Sequence, residues 1–148
     1  MPHFQVPYLL HWIHFVGLAA FGGSALCALL VSGLEEDQEA FRGLAAALWA
    51  RVARWALRGA ALAGLALLVL QHLSGLQPFA DRQFLVKLAL AALALALAET
   101  APRALALRNR GAAMLALVLF LVSGLLAIHP GLLRARTLAR PMAQLLHP

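Results

Sequence analysis

Cysteine occurs once in this chain of 148 residues. Cys27 lies inside a long apolar run, so it can close no intramolecular disulfide and offers no thiol pair for redox exchange; it reads as a small buried apolar residue. Charge is also scarce. Asp, Glu, Lys and Arg make up 12% of the sequence against 63% hydrophobic residues, whereas a soluble globular domain is about a quarter charged and about half apolar. That balance leaves no room for a soluble catalytic domain and, with a mean hydropathy of +0.83, indicates an integral membrane protein. Acidic residues are fewer still, six against twelve Lys and Arg, for a net charge of +6. The basic residues flank the apolar runs and form no stripe with interleaved aromatics, which argues against a nucleic-acid partner and for topology signals. No Lys or Arg precedes the first apolar run, and that run is too long for the core of a cleaved signal peptide, so it is expected to persist as a first helix. No internal repeat of useful length is present.

What the sequence does contain is apolar length. A bilayer span takes roughly 20 apolar residues, and four candidates fit, at about residues 8–32, 55–74, 83–100 and 111–129. The expected fold is all-α: one four-helix integral membrane bundle over residues 1–148, with a basic amphipathic tail at 132–148 lying on the membrane surface. Leu44, Leu48, Val52 and Trp55 recur at helical spacing among Arg42, Arg51, Arg54 and Arg58, suggesting an amphipathic lead-in continuous with the second span. Pro102 is expected to end the third span, because proline disfavours a helical conformation in the residue before it. Pro130 and Gly131 stop the fourth.

Let side A be the side that holds the N-terminus. The loops after the first and third spans then fall on side B with Arg42, Arg51, Arg54, Arg58, Arg103, Arg108 and Arg110, while side A has Arg82, Arg134, Arg136 and Arg140. The positive-inside rule favours side B as cytoplasmic, which puts both termini on the extracytoplasmic side of a bacterial inner membrane.

Four histidines thread to side A: His11 and His14 open the first span, His72 ends the second and His129 ends the fourth. Lys87 enters the third span from the same side. An imidazole in hydrocarbon is costly and usually faces a protein interior or a cavity, where it pairs, carries protons or binds metal. At about 100° per residue, His11 and His14 stand about 60° apart, on a face that continues through Gly17, Ser24, Ala25 and Ala28. Lys87 heads an alanine stripe through Ala91, Ala94 and Ala98, and Ala56, Ala60 and Gly64 form a ladder on the second span. Small residues let helices approach closely in lipid, and they would leave room for a porphyrin. Two imidazoles from facing helices can supply both axial positions of a b-type haem, with Lys87 or an arginine pairing a propionate. Three or four in a layer can hold Cu(II), and His3 could join them. Taken singly, His72 and His129 also suit ordinary interfacial positions, and Lys87 could snorkel to side A. Glu99 and Arg103, at i and i+4, read as a structural ion pair, and Trp12, Trp49 and Trp55 as residues of the headgroup belt.

Leu10-His11-Trp12-Ile13, the arginine-rich entry to the second span and Phe84-Leu85-Val86-Lys87-Leu88-Ala89-Leu90 together resemble the CopD-like copper-resistance membrane proteins. They are also similar to the related four-helix HemJ-type protoporphyrinogen oxidases, a family that binds haem and uses a histidine on its first helix and a lysine on its third. That resemblance implies the histidine role for His11 and the lysine role for Lys87. One departure lies at the entry to the last helix, where the HemJ-type pattern has an Asn-Glu-x-Pro-like motif and this chain reads Arg108-Asn109-Arg110-Gly111-Ala112.

The expectation is therefore a membrane-embedded protein binding haem b, or second copper, through His11, His14, His72 and His129 with Lys87 nearby. It would serve electron transfer or copper handling beside a redox partner, within a larger membrane complex or as a homo-oligomer. If it is an enzyme, it is an oxidoreductase, a HemJ-like oxidase being one alternative. A non-catalytic accessory subunit is the other.

Overall fold

The computed structural model describes residues 6–41, 43–75 and 82–126. His3, His129, the expected span end at 127–129 and the tail at 132–148 lie outside the described residues. Within them the chain is an all-α bundle: α1 (Val6–Asp37), a short 3-10 turn (Glu39–Phe41), α2 (Leu44–Leu73), α3 (Arg82–Ala106) and α4 (Gly111–Leu126). The first three helices are long and apolar enough to cross a membrane, and the described part of α4 is apolar but shorter. The chain is a membrane protein, and the lipid bilayer is its environment.

Because lipid tails are as apolar as leucine, packing and not the exclusion of water decides which residues meet. The seams are accordingly built from small side chains. Ala25, Ala28, Ala53, Ala60, Ala98, Ala101, Ala113 and Ala116 are fully buried, whereas Leu26, Leu30, Leu62, Leu65 and Leu93 turn outward. α1 and α2 approach closely. A Cβ at Gly17 would stand 2.9 Å from Ala60 Cβ and 3.0 Å from the Ala56 carbonyl oxygen. The small residues of both helices thus close the seam, so they do not leave room there for a porphyrin.

The lead-in and the second span form one continuous helix, as expected, through a single wide π turn at Trp49–Ala53. The buried face is the row that starts at Ala45. Leu44, Val52 and Trp55 are 46%, 43% and 59% exposed, while Ala45, Trp49, Ala53 and Leu57 are buried. The seam row thus alternates alanine with the large side chains of Trp49 and Leu57. Cys27 lies exposed on α1 instead of buried.

Trp49 is a core residue and not a belt residue. It is fully buried, meets Phe21 edge to face at 5.9 Å, and its Nε1–H donates to the Ala98 carbonyl at 2.9 Å. Phe21 in turn packs on Phe120 of α4 at 5.0 Å. Nor does Pro102 end α3, which continues to Ala106. The helix stops in a Schellman arrangement. Asn109 N–H donates to the Ala104 carbonyl at 2.8 Å and Arg108 N–H to that of Leu105 at 2.9 Å, with Arg108 left-handed at φ 60°. Both side B corners are fastened: Glu35 Oε1 accepts from Ala45 N–H at 2.6 Å, and Arg110 Nη2 donates to the Ser32 carbonyl at 2.8 Å.

Candidate functional site

His14 sits in the seam between α1 and α2. Its Nδ1 lies 2.7 Å from the Ala60 carbonyl oxygen, and since a carbonyl only accepts, Nδ1 carries the proton and donates. That leaves Nε2 as the ring nitrogen with which His14 could bind a ligand. Gly64 makes the seat possible: a Cβ there would stand 3.0 Å from the ring Cε1 and 3.1 Å from Nδ1. Phe15 borders the ring with centroids 5.9 Å apart. A metal-ligating histidine characteristically donates its other ring N–H to a carbonyl or carboxylate, which fixes tautomer and orientation. His14 has that arrangement.

His11 is exposed on α1, and its Nδ1 donates to the Pro7 carbonyl at 2.7 Å, so it holds the same tautomer with Nε2 free of that bond. His72 is exposed at the C-terminal end of α2. It stands eight residues beyond Gly64, a rise of about 12 Å along the helix. Among the described residues no three or more His, Cys, Asp or Glu gather closely enough to hold a metal ion. The expected layer is thus resolved into one inward imidazole and two exposed ones, with His129 outside the described residues. The common depth followed from counting residues along spans, but helix rotation in the bundle decides where a ring points.

Lys87 is partly buried on α3, and its backbone carbonyl accepts from Ser123 Oγ of α4 at 3.4 Å. Of the alanines below it, Ala94 and Ala98 are buried and Ala91 is exposed. An open apolar groove of about 430 Å³ runs along α1 and α2, lined by Val6, Leu10, Leu62, Leu65, Ala66, Val69 and Leu70, with His14 not among its lining residues. Leu10 is one turn from His14, and Leu65 and Ala66 follow Gly64.

A second polar group lies toward side B. Arg58 of α2 grips Glu99 of α3 with two hydrogen bonds, Nε to Oε1 and Nη2 to Oε2, both 2.6 Å. The guanidinium also rests 4.8 Å from the centre of the Trp55 ring. Glu99 therefore pairs across the seam and not with Arg103 on its own helix. A fork of two parallel bonds to a planar guanidinium favours the partner that can align both oxygens. The sequence held one signal of this pair, a lone acid inside an apolar span, but several arginines on α2 were equally eligible partners.

Comparison with protein-family models, curated proteins and solved structures finds no match for the chain.

Proposed function

We propose that the chain is a small inner-membrane protein of the CopD-like kind that binds b-type haem, with His14 as an iron ligand, and passes electrons between a membrane donor and an extracytoplasmic acceptor. The observation that carries this reading is the His14 ring, which donates Nδ1–H to the Ala60 carbonyl and so leaves Nε2 as the nitrogen that would bind iron. A porphyrin supplies four of the iron's ligands itself, so one or two imidazoles suffice, whereas a site made of protein alone needs three or more. The described residues offer no group of three, which puts haem ahead of copper. The open apolar groove of about 430 Å³ along the same two helices, lined by Leu10, Leu65 and Ala66 among others but not by His14 itself, offers apolar surface to a flat macrocycle, and ligand pockets commonly start near 300 Å³. Bound haem would supply one-electron chemistry. His14 would hold the iron, with His11, His72 or His129 as a second ligand and Lys87 available to a propionate.

One observation favours copper as a second reading. His11 and His14 are spaced i, i+3 on one helix and both turn Nδ1–H to a carbonyl, leaving two Nε2 atoms that would contribute to a copper site completed by a further ligand.

The test is spectroscopic. Detergent-purified protein from haem-replete cells should show a Soret band and a pyridine haemochrome of b type, and His14→Ala should abolish both. Replacing His11, His72 and His129 singly by Ala identifies the second ligand as the variant that turns a low-spin spectrum high-spin. Copper without haem, lost in the His11 and His14 variants together, would replace the first reading by the second. Protein carrying neither would overturn both and favour an accessory subunit.

A further inference from the structure

Glu99 is surrounded by more positive charge than it neutralises. Arg58 takes both of its oxygens. Arg54 stands one turn from Arg58 on the same face of α2 and also acts on the Glu99 charge through space. Arg103 stands one turn from Glu99 on α3. Among the described residues neither Arg54 nor Arg103 has an ion-pair partner. The Arg54 Nε–H is the more telling group: it is buried and donates to no atom among the described residues. Buried polar atoms are almost always hydrogen-bonded, and a charged donor all the more so. Both unmatched guanidiniums lie toward side B from the Arg58–Glu99 pair, where α2 and α3 approach the membrane surface.

We propose that Arg54 and Arg103, backed by Arg58, bind the phosphate of an anionic lipid between α2 and α3 on side B. A phosphate brings several strong acceptors and the negative charge that Glu99 alone cannot supply. Lipid is the source the surroundings favour. Trp55, 59% exposed and stacked under Arg58, offers an amphipathic ring to the headgroup region. Leu62, 68% exposed two turns on toward the membrane interior, offers contact to an acyl chain. Basic pockets between helices are the usual place for such headgroups.

Tryptophan quenching tests this on the full chain in mixed micelles. With Trp12→Phe in the background, Trp55 is the exposed indole and Trp49 the buried one. Brominated phosphatidylglycerol should quench more strongly than brominated phosphatidylcholine at equal mole fraction. Arg54→Gln and Arg103→Gln should each reduce that preference about fivefold, the factor that one interfacial arginine contributes toward an anionic surface. Arg54→Lys should retain most of it, and Arg82→Gln on side A all of it. Equal quenching by the two lipids in the unsubstituted protein would overturn the proposal, as would an unchanged preference in the Arg54→Gln and Arg103→Gln variants. A preference abolished by inorganic phosphate but not by chloride of equal ionic strength would overturn the lipid assignment in favour of free phosphate.

Discussion

The indole of Trp49 and the carbonyl of Ala98 are joined at 2.9 Å because Pro102 leaves that carbonyl without its own helical donor. In an unbroken helix the amide of residue 102 would donate to the oxygen of residue 98, and proline has no N–H to give. Trp49 Nε1–H, brought from α2, takes its place. A proline is thereby kept inside a membrane helix, where a freed backbone group must find another partner.

Replacing Trp49 by Phe keeps a ring against Phe21 but leaves the Ala98 oxygen unpaired. The cost should be about 1–3 kcal/mol, read as loss of stability in denaturant titrations of the micellar protein. Pro102→Ala restores the amide donor, so in that background the same change should cost less. Equal costs in the two backgrounds would refute the coupling.

Gly17 and Gly23 lie on one helix in opposite circumstances. A Cβ at Gly17 meets Ala60 and the Ala56 carbonyl, whereas one at Gly23 meets nothing within 4 Å. Gly17→Ala should therefore destabilise by about 1–3 kcal/mol through overpacking, and Gly23→Ala should be neutral or stabilising by up to about 1 kcal/mol. Thermal unfolding followed by circular dichroism separates them.

Gly64→Ala acts on the candidate site. The added methyl would meet the His14 ring at 3.0 Å, so the ring must shift and its bond to Ala60 weaken. If His14 is an iron ligand, this variant should keep its helical content yet lose haem affinity or change spin state, measured by absorption during haem titration. An unaltered spectrum and affinity would argue against His14.

Glu99 and Arg58 should behave as a unit. Glu99→Gln and Arg58→Gln should each lower the Tm, and the double variant should lower it by less than the sum of the two, while Arg103→Gln should leave Tm nearly unchanged in zwitterionic detergent. A larger effect at Arg103 than at Arg58 would show that the ion pair along the helix outweighs the pair across the seam.

Arg108 occupies the left-handed position at the end of α3, with φ 60°. A side chain there costs about 1–2 kcal/mol. Arg108→Gly should raise stability by about 1 kcal/mol with the helix end unchanged, visible as a higher denaturant midpoint at constant slope.

Apolar length and the scarcity of charge determined from the sequence alone that this chain is an α-helical membrane protein, and roughly where its helices lie, because a bilayer admits few other backbone solutions. The continuous arginine-rich entry to α2 and the small-residue ladder of Ala56, Ala60 and Gly64 were likewise legible, since helical periodicity is a local property. Helix rotation and partner choice are not local. The imidazole that turns inward, the arginine that Glu99 takes and the survival of α3 past Pro102 were decided by contacts between segments far apart in the chain. His14 faces the Ala60 carbonyl because Gly17 and Gly64 let α1 close onto α2, and Pro102 stays within a helix because Trp49 arrives from another. Spacing along one helix records which residues share a face, but only packing in three dimensions selects what that face meets.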